Sequence, residues 1–225
     1  MKKAPLVFLF SPLVLSSALL AQAPMAPAAT IRPTGASAAA PVRLPTLAAG
    51  AVAPDFVTLD ITGKEIRVSD YKGKILILDF WATWCGPCIA SFPHTQQMAA
   101  KYKDQDVLVL AAGTSDTIEK FKEWIPKNQP KYPDIRFSYD PKERGSSEFE
   151  NRASQKLYHV EGIPTQFVIG RDGVIAAVVV GNSPGDARTE AALAKLGVKV
   201  DAGTVAKGET QLKEAAEAEV KRAAE

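Results

Sequence analysis

The chain has 225 residues, of which 46% are hydrophobic and 23% are charged, and its formal net charge is +2. This length fits one ordinary domain with appendages, and the apolar fraction is sufficient for a sizeable core. The small net charge and the lack of a dense Lys/Arg block in the sequence argue against a nucleic-acid-binding protein.

The N-terminus has the features of an export signal. Two lysines follow the first methionine, residues 6–20 are mostly apolar, and small residues come next. We therefore predict a signal peptide over residues 1–21, cleaved after Ala21, and an exported, periplasmic protein. The alternative is a retained membrane anchor, which the short apolar run and Pro12 disfavour.

Composition divides the rest of the chain into three segments. Residues 22–52 are rich in Ala and Pro and predict a flexible linker. Residues 53–197 carry the periodic patterns of a folded domain. Residues 198–225 predict a charged tail, with a solvent-exposed helix from Gly208 onward, where Glu, Lys and Ala dominate.

The folded region begins with patterns typical of strands. Alternating apolar residues on both sides of Gly63 predict a β-hairpin over residues 56–68. The nearly continuous apolar run at residues 74–81 indicates a central strand buried on both faces. Further strands are predicted at residues 106–112, 135–139, 166–169 and 174–180.

Helical spacing of apolar residues separates most of these strands. The predicted helices cover residues 87–103, 116–125, 148–158 and 186–196. Strands that alternate with helices indicate an α/β fold whose sheet is covered by helices on both faces. Because a tight turn joins the last two strands, they should run antiparallel, which makes the central sheet mixed. The hairpin is an N-terminal extension of this sheet.

The two cysteines, Cys85 and Cys88, lie where the central strand gives way to a helix. A disulfide between them closes a very short ring and stabilises the fold little, so reactivity is the better reason for the pair. Cys85 precedes the helix, where free backbone N–H groups favour a thiolate, and Cys88 lies one turn further in. This arrangement suits attack on a disulfide by Cys85 and resolution by Cys88.

A pair of cysteines at this spacing could instead be half of a zinc site. Such a site needs two further ligands, and the sequence offers two histidines and no second cysteine pair. We therefore expect no metal.

Asp79 interrupts the apolar run of the central strand. Burial makes the ionised form of a carboxyl costly and raises its pKa, as suits a proton acceptor that works near neutral pH. The alternative is a carboxylate at a strand end that is solvated or hydrogen-bonded.

These residues together resemble the thioredoxin superfamily. The sequence Trp84-Cys-Gly-Pro-Cys88 is similar to the thioredoxin active-site motif, and Asp79 occupies the place of its buried carboxylate. Gly162-Ile-Pro-Thr165 resembles the thioredoxin loop that contains a cis-proline. The lysine that neighbours the carboxylate in thioredoxins has no counterpart in residues 107–113.

Four further motifs resemble the exported TlpA/ResA-like branch, and the resemblance covers about residues 53–196. These motifs are Ala53-Pro-Asp-Phe56, Asp70-Tyr-Lys-Gly-Lys74, Phe80-Trp-Ala-Thr-Trp84 and the turn Arg171-Asp-Gly173. The resemblance implies a thioredoxin-like fold and a thiol–disulfide oxidoreductase. The resemblance to thioredoxins implies catalytic roles for Cys85, Cys88, Asp79 and Pro164, although many members of the TlpA/ResA-like branch carry asparagine where Asp79 stands. It implies substrate binding by Trp84, Gly86, Pro87, Ile163 and Thr165.

The expected reaction is reduction of disulfides in exported proteins by a monomer that draws electrons from a membrane donor and uses no cofactor. A peroxidase is one alternative, because the Ala53-Pro-Asp-Phe56 opening is shared with peroxiredoxins. A copper-maturation module that uses both cysteines and a histidine is another. A redox-inert adaptor bound through the C-terminal helix is the third.

Overall fold

The computed structural model describes residues 47–223. The predicted signal peptide, residues 1–21, and the predicted linker up to residue 46 lie outside this part of the chain. None of the helices within residues 47–223 combines the length and the apolarity that a bilayer crossing requires.

A seven-stranded sheet forms the centre of the described domain. Its strands are β1 (Val57–Leu59), β2 (Glu65–Arg67), β3 (Ile75–Trp81), β4 (Val107–Gly113), β5 (Ile135–Tyr139), β6 (Thr165–Ile169) and β7 (Ile175–Val180). Their order across the sheet is β2-β1-β5-β4-β3-β6-β7. The pairs β3–β4 and β4–β5 are parallel and the other pairs antiparallel, which confirms the predicted mixed sheet.

Helices cover both faces of this sheet, as predicted. They are α1 (Gly86–Tyr102), α2 (Ile118–Asn128), α3 (Ala153–Lys156), α4 (Arg188–Lys195) and α5 (Ala202–Ala223). Buried side chains of α1, α2 and α4 share one core cluster, whereas α3 and the β1–β2 hairpin contribute to a second. The sheet therefore lies between two separate cores.

Strand β3 lies inside the sheet, between β4 and β6, and all seven of its residues are buried. Because side chains alternate along a strand, Ile77 and Trp81 belong to the core beneath α1, and Leu78 and Phe80 belong to the other. By the same alternation Asp79 points toward the α1 side, which is also where the two cysteines lie.

The continuous helix expected over residues 148–158 is wrong. The chain forms a 3₁₀ turn at Phe149–Asn151, becomes extended at Arg152 and then forms only the four residues of α3. The Oδ2 atom of Asp140 accepts a hydrogen bond of 2.7 Å from the backbone N of Ala153. The Asp140 carboxylate thus accepts a hydrogen bond from a backbone N–H that has no partner inside the new helix. The periodicity of apolar residues does not reveal this contact, because Asp140 lies outside the helix.

The packed chain begins before the predicted boundary at residue 53. Gly50 N donates to the carbonyl of Ile175 over 2.8 Å, and Ala53 N donates to the carbonyl of Gly173 over 2.9 Å. Residues 50–53 therefore pair with the start of β7, whose outer edge would otherwise leave backbone groups unpaired.

The C-terminal helix is more than an exposed tail. Helix α5 begins at Ala202, earlier than expected, and Gly208 is buried against α4. The side-chain Oε1 of Gln211 accepts a hydrogen bond of 2.8 Å from the backbone N of Ala187, at the start of α4. Alanine-rich composition predicted the helix, but only the tertiary contact shows which face is covered.

We expect Gly208→Ala to destabilise the protein. A Cβ atom at this position would lie 2.1 Å from the backbone oxygen of Ala187, so α5 must move away from α4. Overpacking of this kind typically costs about 1–3 kcal/mol in the free energy of unfolding. Chemical denaturation measures the change.

Gly203→Ala is the matched control on the same helix. The nearest atom to its added Cβ, the Oδ1 of Asp201, is 3.6 Å away, an ordinary contact. Because Gly203 is the second residue of α5, where helix propensity counts less than in the interior, alanine should change the free energy of unfolding by no more than about 0.5 kcal/mol. Equal effects of the two substitutions would show that α5 does not pack on α4 in solution.

Candidate active site

The cysteine pair lies at the N-terminus of α1, in the short connection that follows β3. Cys85 is the N-cap residue, and Gly86 and Pro87 form the first helical turn. Proline is favourable there because its missing N–H has no partner to lose in the first turn. The two cysteines form a disulfide, so the structure represents the oxidised protein.

The local geometry favours negative charge on Cys85. Its Sγ atom accepts a hydrogen bond of 3.2 Å from the backbone N of Cys88. Together with the dipole of the 17-residue helix, this donor stabilises a thiolate relative to a thiol. Cys88 is fully buried and Cys85 is 3% exposed, so a substrate has only a narrow approach, at Cys85.

The predicted cis-proline loop lies against this disulfide. The Ile163–Pro164 peptide bond is cis, and the carbonyl oxygen of Ile163 is 3.7 Å from Cys85 Sγ. Thr165 is buried, and its hydroxyl donates to the carbonyl of Gly162 over 2.7 Å. The side chain of Thr165 therefore holds the loop in place and offers almost no surface to a substrate.

Trp84 is the large exposed side chain next to the disulfide, with 56% of its surface accessible. Its indole Nε1 donates to the carbonyl of Ser115 over 2.9 Å, and the guanidinium of Arg144 lies 5.4 Å from the ring centroid. These two residues orient the indole from loops that follow β4 and β5. With exposed Gly86 and Pro87, it forms the accessible rim of the site.

The loop after β4 also supports the segment that precedes Cys85. The Oδ2 atom of Asp116 accepts hydrogen bonds from both the backbone N and the hydroxyl of Thr83. The sequence pattern placed Asp116 at the start of a helix, but Thr117 is the N-cap of α2. Asp116 and Ser115 were missed because their contacts depend on how two distant loops meet.

Asp79 is 1% exposed and lies on the α1 side of the sheet. Its Oδ2 accepts a hydrogen bond of 2.9 Å from the Nε2 of Gln166 on the adjacent strand, and its Oδ1 has no partner among residues 47–223. Burial raises the pKa of Asp79 to about 7, and the hydrogen bond from Gln166 opposes that rise. This carboxyl can therefore gain or lose a proton near neutral pH.

Helix α4 contacts the active-site helix α1 through a pair of titratable side chains, one on each helix. The Nε2 atom of His94 on α1 is 3.6 Å from the Oε1 atom of Glu190 on α4. Burial raises the pKa of the Glu190 carboxyl. This contact could not be predicted from the sequence, because His94 and Glu190 are far apart along the chain.

Within residues 47–223, no group of three or more His, Cys, Asp or Glu side chains is arranged to hold a metal ion. The chemistry that the described site offers is that of the disulfide, the buried carboxyl and the exposed rim around Trp84.

Comparison with known proteins relates this site to a family. Residues 49–178 match the model of the AhpC/TSA family. The chain is 34% identical over 140 residues to the thiol–disulfide oxidoreductase ResA of Geobacillus kaustophilus, covering 60% of this chain and 71% of that protein. It is 31% identical over 139 residues to ResA of Bacillus subtilis, covering 60% and 69%.

Solved structures show the same fold. A protein of Chlorobium tepidum assigned as thiol:disulfide interchange protein DsbE is 36% identical, with a TM-score of 0.52 over 67% of this chain and 96% of that one. The exposed lipoprotein thioredoxin of Streptococcus pneumoniae is 30% identical, with a TM-score of 0.50 over 64% and 98%. These likenesses confirm the predicted thioredoxin-like fold. The chain therefore belongs to the AhpC/TSA family and is a thiol–disulfide oxidoreductase.

Proposed function

We propose that this oxidoreductase reduces disulfides of exported proteins, with Cys85 as the attacking thiolate and Cys88 as the resolving thiol. The observation that carries this proposal is the position of Cys85 at the N-cap of α1, with the Cys88 backbone N 3.2 Å from its sulfur. A thiolate is the attacking species in disulfide exchange, and this geometry favours it.

The reaction starts from the reduced protein. The Cys85 thiolate attacks one sulfur of the substrate disulfide, a Cys85–substrate disulfide forms, and the other substrate sulfur leaves with the electron pair and takes up a proton. Trp84, Gly86 and Pro87 form the exposed rim on which the substrate would dock. Ile163 and Pro164 would contact its backbone, since Ile163 O lies 3.7 Å from Cys85 Sγ.

Resolution requires a thiolate at the buried Cys88. In our proposal the proton of the Cys88 thiol passes to the ionised carboxyl of Asp79, directly or through a water molecule. The Cys88 thiolate then attacks Cys85, the Cys85–Cys88 disulfide forms, and the second substrate sulfur leaves as a thiolate that is protonated by solvent. Two electrons have passed from the protein to the substrate, whose disulfide is now a dithiol.

The direction of electron flow and the compartment are inferred from the sequence. The Gly86-Pro87 dipeptide resembles that of reducing thioredoxins, and residues 1–21 have the composition of an export signal. One structural neighbour is itself an exposed lipoprotein thioredoxin. We infer a periplasmic monomer that is re-reduced by a membrane electron donor, because a reductant in an oxidising compartment must be supplied with electrons.

Single-turnover assays test this function. The fully reduced protein is mixed with an equimolar disulfide-containing protein such as insulin, and separately with hydrogen peroxide. We expect one substrate disulfide to be reduced for each Cys85–Cys88 disulfide formed, and slow oxidation by peroxide. Rapid peroxide consumption with no reduction of insulin would contradict the proposal and favour the peroxidase alternative.

A further inference from the structure

The side chain of Gln166 is buried and hydrogen-bonded at both ends. Its Nε2 donates to Oδ2 of Asp79 over 2.9 Å, and its Oε1 accepts from Oγ1 of Thr189 over 2.9 Å. The three side chains come from β3, β6 and α4, and none is more than 5% exposed. An amide with both its amino group and its carbonyl engaged has a fixed orientation.

The backbone holds these three residues in place. Asp79 and Gln166 are directly opposite each other on adjacent antiparallel strands, so their side chains emerge on the same face of the sheet. Thr189 lies in the first turn of α4, and α5 fixes that turn through the 2.8 Å hydrogen bond between Gln211 and the backbone N of Ala187. The hydrogen-bonded chain is thus supported by the β3–β6 pair and by both C-terminal helices.

The charged groups nearby are paired with one another. The inward-facing titratable and charged groups on α1 and at the start of α4 are Cys85, Cys88, His94, Tyr102, Asp186, Arg188 and Glu190. His94 contacts Glu190 at 3.6 Å and Arg188 contacts Asp186 at 2.5 Å, while the cysteines are bonded to each other. Within residues 47–223, Gln166 is the one hydrogen-bond donor to the Asp79 carboxyl.

We propose that Gln166, held in orientation by Thr189, is a positioning residue that sets the pH range in which Asp79 accepts the proton of Cys88. This inference rests on the proposed function, which gives Asp79 the role of proton acceptor. A hydrogen bond donated to the ionised carboxyl stabilises it against the cost of burial. The protein thereby keeps its proton acceptor ionised at a lower pH, although no cationic side chain within residues 47–223 contacts the Asp79 carboxyl.

Thr189 contributes through the direction of the amide. When its hydroxyl donates to Oε1 of Gln166, the Nε2 end must face Asp79. Without that hydroxyl, the amide can rotate and present its carbonyl oxygen to the carboxyl, which favours the protonated acid. Loss of the Thr189 hydroxyl should therefore act in the same direction as loss of the Gln166 amide, with a smaller effect.

The test is the pH dependence of mixed-disulfide resolution, followed in single turnovers with a disulfide peptide. We expect Gln166→Leu to move the acidic limb of the rate profile upward by about one pH unit, the typical worth of a hydrogen bond to a charged group. Thr189→Val should move it upward by roughly half as much. Thr189→Ser keeps the hydroxyl and should give the wild-type profile.

A second readout does not depend on turnover. In the oxidised protein, the ¹³C chemical shift of the Asp79 carboxyl reports its titration directly, and the midpoint should rise in Gln166→Leu and Thr189→Val. An unchanged midpoint in folded Gln166→Leu overturns the proposal. If that variant does not fold, an unchanged midpoint in Thr189→Val overturns it.

Asp79→Asn separates the failure of this proposal from the failure of the proposed function. If Asp79→Asn removes the acidic limb while Gln166→Leu leaves it in place, the role of Gln166 is wrong and that of Asp79 stands. If Asp79→Asn retains the wild-type limb, Asp79 is not the proton acceptor and the role of Gln166 is wrong with it, while insulin reduction by the wild-type protein decides the proposed function separately. Loss of the limb in Asp79→Asn together with its upward shift in Gln166→Leu supports both.

Discussion

Replacing Cys85 with serine is expected to reduce disulfide-exchange activity at least about 10³-fold, because a serine hydroxyl neither ionises at neutral pH nor forms a disulfide. Cys88→Ser should behave differently. It retains the attacking sulfur but cannot resolve, so a covalent Cys85–substrate disulfide accumulates. Insulin reduction measures the first effect, and mass spectrometry under non-reducing conditions detects the trapped species.

The two substitutions also test which sulfur attacks. The N-cap position assigns that role to Cys85, so only Cys88→Ser should accumulate the mixed disulfide. Accumulation in Cys85→Ser instead would reverse the assignment. Ala90→Ser introduces the same side chain at an exposed position of α1, and we expect it to keep full activity.

Asp79→Asn is expected to stabilise the oxidised protein at alkaline pH while impairing its function. Burial raises the pKa of Asp79 from 3.8 to about 7, so the unfolded chain releases this proton at a lower pH than the folded protein does. The free energy of unfolding of the wild type should therefore fall as the pH rises from about 4 to about 7. Above about pH 7, burial of the ionised Asp79 carboxyl lowers the free energy of unfolding of the wild type by about 4 kcal/mol in total.

Asparagine imitates the protonated carboxyl and does not ionise. The variant should match the wild type to within about 1 kcal/mol at pH 4 and exceed it by about 4 kcal/mol at pH 8.5, as measured by chemical denaturation. Resolution of the mixed disulfide should slow by about 10²-fold, since a general base is lost. A difference in stability that does not vary with pH would show that Asp79 is not buried as the structure has it.

The residues that carry the chemistry could be predicted because their signals are local. Cys85 lies between a buried strand and a helix that are both evident from apolar periodicity, and Asp79 stands out as a carboxyl within an apolar run. The strand at residues 135–139 was also predictable, since its alternating pattern survives within an otherwise polar segment.

The surroundings of the site could not be predicted, because they depend on strand register and loop contact. Gln166 is 87 positions from Asp79, and only the antiparallel register of β3 and β6 places it opposite. Thr189 is a further 23 positions away and becomes relevant through the packing of α4. Neither hydrogen bond can be recognised from a local stretch of the sequence.

Two errors in the predicted elements have the same origin. The break at Arg152 follows from the hydrogen bond between Asp140 and Ala153, and the covered face of α5 follows from contact between Gly208 and α4. Both helices have adequate local propensity, so tertiary contacts decided where one began and which face the other buried.

The most direct test of the central claim is the redox equilibrium of Cys85 and Cys88 across a series of thiol/disulfide buffers, with acid quenching, alkylation and mass spectrometry to count free thiols. We predict a single two-electron transition, in which both cysteines are reduced together. Its reduction potential should be about −270 mV, the value expected of a disulfide reductase. A transition near about −120 mV would make the protein an oxidant and contradict the proposed direction. If no two-electron transition occurs, Cys85 and Cys88 do not form a redox-active pair.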